Sequence, residues 1–106
     1  MARPDDAYSR ATILDTVACL EQATGRYEGA VHLYRQAIDL YGDVGHDLYR
    51  AGSLNRLGET LLTLDRGEEA RTCWERALDI FRAHYCVAEA ADVGRRLDTA
   101  ANVSRA

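Results

Sequence analysis

The feature that most restricts how this chain can fold is a self-similarity at a shift of 40 residues. Laid over residues 51–85, residues 11–45 give seven identities without a gap: Ala11/Ala51, Leu14/Leu54, Arg26/Arg66, Glu28/Glu68, Ala30/Ala70, Ala37/Ala77 and Asp39/Asp79. Six further pairs are chemically alike: Val17/Leu57, Ala18/Gly58, Tyr34/Trp74, Ile38/Leu78, Leu40/Ile80 and Tyr41/Phe81. Any two amphipathic helices share apolar positions. They do not by chance share an arginine and a glutamate at the same turn, so one packing unit is used twice.

The unit is helical. Pro4, the one proline, precedes the first helical pattern, and runs of alternating β-branched residues are absent. An all-α chain is expected, with two helices per unit. The first unit spans about 7–45, with helices over 7–23 and 26–41; the second spans about 47–85, with helices over 47–64 and 66–83. Leu14, Val17 and Ala18 form the inward stripe of the first helix. Ala30, Tyr34, Ala37, Ile38 and Tyr41 form that of the second, mirrored by Ala70, Trp74, Ala77, Leu78 and Phe81. A closing helix over 87–101 carries Ala90, Val93, Leu97 and Ala101 and covers the second unit. Asp65 three residues before Glu68 predicts a reciprocal cap, and Gly25 before Glu28 stands in the same place. A glycine-bounded break is predicted over 42–46. The equivalent segment 82–86 lacks glycine and is expected to be tighter or partly helical.

Composition removes several classes of function. No stretch free of Asp, Glu and Arg exceeds six residues, whereas a membrane-spanning helix needs roughly 20 apolar residues. Neither a membrane segment nor an apolar signal core behind Met-Ala-Arg-Pro-Asp-Asp is expected. Thirteen arginines against 17 acids leave a net charge of −4. An acidic chain does not attract phosphate backbones, so nucleic-acid binding by this segment is disfavoured. Three widely spaced cysteines, Cys19, Cys73 and Cys86, do not make a disulfide framework and fit a reducing, cytoplasmic setting.

Chemistry-bearing motifs are missing too. No glycine-rich phosphate loop follows a strand pattern, and no Cys-x-x-Cys pair is present. His84 and Cys86 are close in sequence but have no second pair nearby. Glu68-Glu69 and Asp5-Asp6 sit at helix starts, where the helix dipole favours acids. No catalytic residue, cofactor or metal is expected, and the chain does not read as an enzyme.

The spacing within each unit resembles the tetratricopeptide repeat. The first unit gives Leu14-x₂-Val17-Ala18, then Ala30-x₃-Tyr34-x₂-Ala37; the second gives Leu54-x₂-Leu57-Gly58, then Ala70-x₃-Trp74-x₂-Ala77. The departures are a period of 40 residues in place of about 34, no proline closing the second helix, and Glu21 where Leu61 conforms. Repeats this long resemble the arrays at the carboxyl ends of large bacterial transcription regulators. The resemblance implies a short right-handed α-solenoid of antiparallel hairpins, one domain over 1–106.

The resemblance also implies where binding occurs. The first helix of each unit lines a concave groove that takes a peptide or protein segment. Off the packing stripe, the residues lining it are Thr12, Asp15, Thr16, Cys19 and Gln22, then Asn55, Arg56, Glu59 and Leu62, then Arg95, Arg96 and Thr99. Arg56, Arg95 and Arg96 together would suit an acidic peptide or a terminal carboxylate, although Asp15 and Glu59 in the same groove work against it. Two further positions of the first helix, Ile13 and Leu20, pack on a preceding unit in this family, and none precedes them here. They are expected to form an open apolar face. A protein–protein interaction module is the first reading. A self-association domain, dimerising or continuing a longer array through Ile13 and Leu20, is the alternative.

Overall fold

The computed structural model describes residues 4–105. They form five helices: α1 (Pro4–Ala23), α2 (Tyr27–Asp43), α3 (Asp47–Thr63), α4 (Gly67–Ala83) and α5 (Val87–Arg105). No strand occurs among the described residues. Each helix packs mainly on its neighbours in sequence, which makes an all-α helical-repeat solenoid. The extents are 53 × 33 × 18 Å, the shortest being about two helix diameters.

Three-residue joints connect the helices, and all four are built alike. Gly25, Gly45, Asp65 and Tyr85 take the left-handed conformation, with φ of 83°, 74°, 61° and 58°. The next residue's N–H donates to a carbonyl five residues back: Arg26 to Glu21 at 2.8 Å, His46 to Tyr41 at 2.9 Å, Arg66 to Leu61 at 2.9 Å and Cys86 to Phe81 at 2.8 Å. The left-handed residue's own N–H donates three residues back, as from Asp65 to Leu62 at 3.0 Å. These two bonds are the Schellman closure of a helix end. The residue completing the closure then starts the next helix: the Ala30 N–H donates to the Arg26 carbonyl at 3.0 Å, and Ala70 to Arg66 at 3.1 Å.

Several local expectations are corrected by this joint. Asp65 does not cap α4: the N-cap is Arg66, with no side-chain capping bond, and Arg26 rather than Gly25 holds that place before α2. Segment 82–86 is partly helical as expected, with Arg82 and Ala83 in α4, but so is segment 42–46, where Gly42 and Asp43 lie inside α2, and both end in the common joint. The closure is made by backbone groups around one left-handed residue, so it does not need glycine. Asp tolerates that conformation, and Tyr adopts it at a strain of about 1–2 kcal/mol. α1 begins at Pro4, whose fixed φ and missing N–H suit a first turn. α5 continues past residue 101 to Arg105.

The core is a row of small residues interleaved with aromatics. Ala18, Ala30, Tyr34, Leu54, Leu61, Ala70, Trp74, Ala77 and Val93 are all buried in one cluster. A satellite cluster of Ala11, Ala37 and Tyr41 is covered by Tyr8, Leu14 and Leu40. Val17 departs from its predicted place on the inward stripe. It is 40% exposed, whereas its counterpart Leu57 is buried. The two positions are alike, but only α3 has a hairpin in front of it to cover this side.

Candidate functional site

The residues predicted to line the groove come from α1, α3 and α5, and polar contacts join them across the helices. Asp15 is the first centre. Its carboxylate accepts from Ser53 Oγ at 2.7 Å and from Arg56 Nη2 at 2.9 and 2.8 Å. Asp15 is only 16% exposed, so this charge is held by charge-assisted bonds from α3 rather than by water. Burial acts to lower the Arg56 pKa, but the hydrogen bonds and charge of Asp15 outweigh it and raise it. The Arg56 guanidinium carbon also lies 6.0 Å from the Tyr34 ring centre.

A second chain of contacts runs toward α5. The Tyr34 hydroxyl donates to Gln22 Oε1 at 2.7 Å and approaches Cys19 Sγ at 3.3 Å. Gln22 Nε2 donates to Glu59 Oε1 at 2.9 Å, and Arg96 Nη1 donates to the other Glu59 oxygen at 2.8 Å. Arg96 also reaches Asp92 at 3.4 Å. Burial, then the Cys19 contact, pushes the Tyr34 hydroxyl well above its ordinary pKa, so it stays a donor.

The three arginines expected to gather do not form one cluster. Arg56 faces Asp15, and Arg96 faces Glu59 and Asp92. Arg95 is 71% exposed and meets Asp92 only at 3.6 Å, so it is the most available of the three. Thr12 Oγ1 bonds back to the Tyr8 carbonyl and meets the Tyr41 hydroxyl; Thr16 bonds back to Thr12. Asn55 contributes its backbone carbonyl to Trp74 Nε1 at 3.1 Å, while its side-chain oxygen is buried without a protein partner.

Two open cavities meet at Glu59. One, of about 550 Å³, is lined by Cys19, Gln22, Ala23, Tyr27, Arg56, Glu59 and Thr63. The other, of about 240 Å³, is lined by Glu59, Leu62, Trp74, Asp92, Arg95, Arg96 and Thr99. Tyr27 and Thr63, at the ends of α2 and α3, line the larger cavity and were not among the residues expected there from the sequence. Their only signal was proximity to a joint. Ser53 and Tyr34 also escaped, because their polar atoms act across helices far apart in the chain.

The end face lies apart from these cavities. Ile13 is 61% and Leu20 62% exposed, with Val17 between them. Their counterparts forty residues on, Ser53, Leu57 and Thr60, are all buried.

The tetratricopeptide repeat profile matches residues 10–44 and 50–85. The chain belongs to the tetratricopeptide repeat family. The matched segments coincide with the two hairpins, α1–α2 and α3–α4. Comparison with curated proteins gives no match. Tetratricopeptide repeats generally mediate protein–protein interaction and are typically non-catalytic.

Among the described residues, no three His, Cys, Asp or Glu side chains converge to hold an ion. His84 pairs instead with Asp47 at 3.4 Å, and Cys86 Sγ faces the His84 carbonyl. Burial pushes the Cys73 thiol above its ordinary pKa, which makes it a poor nucleophile. Among the described residues, no helix is long and apolar enough to cross a membrane.

Proposed function

We propose that this tetratricopeptide domain is a non-catalytic module that holds an extended peptide or protein segment in the groove formed by α1, α3 and α5. The observation that carries the reading is the pair of cavities meeting at Glu59, with Leu62 and Trp74 supplying apolar wall and a hydrogen-bonded polar floor beneath. Because Arg56 and Arg96 are already paired with acids, the groove is close to charge-balanced. It suits a mixed polar and apolar segment better than a strongly acidic one. The whole of 1–106 acts as one domain, with repeats over about 7–45 and 47–85 and a closing helix from 87. Three free cysteines fit a reducing cytoplasm. The long repeat period, which resembles that of regulator arrays, supports a role as the partner-sensing arm of a regulatory protein.

Selection of a random peptide library on the purified domain tests the reading. Selected peptides should lose binding to Leu62→Asp and Arg95→Glu variants and keep it on Ile13→Asp. Equal binding to all three variants would place the peptide elsewhere.

A second reading is favoured by one specific feature, the exposed apolar residues of α1. In it the chain associates with itself through Ile13 and Leu20.

A further inference from the structure

We propose that two copies of this chain pair through α1, with the two α1 helices antiparallel about a two-fold axis beside Val17. The proposal rests on the second reading above and adds the register and a residue the sequence had placed in the core.

The register is written into the chain itself. Ile13, Val17 and Leu20 recur forty residues on as Ser53, Leu57 and Thr60, and eighty residues on as Val93, Leu97 and Ala100. On α3 this triad is buried, and Ser53 reaches back to Asp15 of the first hairpin. On α5 it supplies Val93 and Ala100, both buried, with Leu97 packed against the same core. α5 makes its principal contact with α4. The same three positions therefore dock a helix onto its neighbour twice within the molecule. On α1 they carry the same task with no neighbour among the described residues. They are also more apolar there than on α3. A repeat face that meets water is ordinarily polar, and this face of α1 is apolar and exposed.

Three further observations favour a second copy as the occupant. First, the opposite end of the solenoid does not match α1. On α5 the counterparts of the buried Ala51, Leu54 and Gly58 are Ala91, Gly94 and Asp98, which are small or acidic and not buried. Head-to-tail stacking would set Ile13 and Leu20 against these residues, whereas a two-fold pair buries both stripes at once.

Second, the rim charges complement one another when α1 is antiparallel to its copy. Arg10 continues the stripe one turn before Ile13 and is exposed. With Ile13 of one copy opposite Leu20 of the other, Arg10 meets the partner helix near Thr24. That last turn has no basic residue of its own, and it is the negative end of the helix dipole.

Third, a cavity of about 530 Å³ between α1 and α2 opens beside the stripe. Its lining includes Ile13, Leu14 and Leu40, with Arg10 and Asp39 among its polar members. In the pair it receives the Leu20 side chain of the other copy.

Sedimentation velocity over a wide concentration range should show a mass rising from 11.8 kDa to twice that value. Val17→Glu sets two like charges at the axis and should weaken the pair by about 100-fold or more. Val87→Glu, at an exposed apolar residue on the far helix, should change nothing. Under oxidising conditions Val17→Cys should give a covalent dimer that neither the unsubstituted chain nor Val87→Cys gives. A monomer at every concentration overturns both the second reading and this proposal. So does a dimer that survives Val17→Glu. A dimer that is lost in Ile13→Glu and Val17→Glu, yet fails to cross-link as Val17→Cys, keeps α1 as the interface and overturns the antiparallel two-fold arrangement.

Discussion

Gly58 lies so close under Trp74 that a Cβ placed on it would stand 2.5 Å from the indole Nε1. The matching pair in the first hairpin is Ala18 and Tyr34, both buried. Where the aromatic is larger, the residue beneath it is smaller. The two hairpins thus fill the same contact with different divisions of side-chain volume.

Gly58→Ala should lower stability by about 1–2 kcal/mol. Displacing the indole costs about 1–3 kcal/mol, partly offset by the better helix propensity of alanine. The indole cannot move freely, because its N–H is tied to the Asn55 carbonyl. Trp74→Tyr should cost less in the Gly58→Ala background than alone, by about 1 kcal/mol. Urea unfolding of the two single variants and the double variant measures the coupling. Additive losses would mean that the fit is not shared.

Asp15→Ala should cost about 2–3 kcal/mol, since it leaves the Arg56 guanidinium and the Ser53 hydroxyl without their partner. Arg35→Ala removes an ion pair to Glu69 in which both side chains are about half exposed. It should cost under about 1 kcal/mol. Chemical denaturation separates the two, and a similar loss for both would make the Asp15 contacts no better than surface pairs.

Tyr85 is 88% exposed and sits in the left-handed region at φ 58°. Glycine occupies the equivalent place at positions 25 and 45. Tyr85→Gly should therefore raise stability by about 1 kcal/mol, because backbone strain is relieved and little packing is lost. A rise in the thermal midpoint checks this.

Stability should fall above pH 10. Burial, reinforced by the Cys19 contact, raises the Tyr34 hydroxyl above its ordinary value of 10.0. The folded state thus holds this proton more tightly than the unfolded chain does. Its contribution is complete below pH 10.0 and drains away as pH climbs toward the raised folded value. Tyr41 is raised in the same direction, chiefly by burial. Tyr34→Phe should lose about 1 kcal/mol near neutrality and show a shallower alkaline decline. An unchanged slope would assign that decline to other groups.

The helix pairs, their pitch in sequence and their apolar stripes were legible because periodicity is a local property. Joint chemistry was less so. Asp65 and Glu68 carry the letters of a reciprocal cap, yet Arg66 is the N-cap and Glu69 is the acid that bonds it. A backbone closure that works with Gly, Asp or Tyr leaves only a faint mark in composition. Val17 was misplaced for a different reason: the repeat tells which positions pack, but not that α1 has no neighbour on that side among the described residues. The pairing of the polar residues on α1, α3 and α5 was not readable, because Asp15 meets Arg56 and Glu59 meets Arg96 across separate helices. Only the packed geometry decides which acid each arginine faces.

The four joints, each of the same three-residue design and twenty residues from the next, have a consequence for how such a molecule changes size. A forty-residue block cut or duplicated between Arg26 and Arg66 meets an identical splice on both sides. Reach can then grow or shrink in whole increments while every seam keeps its bonding, as track is extended by adding standard sections.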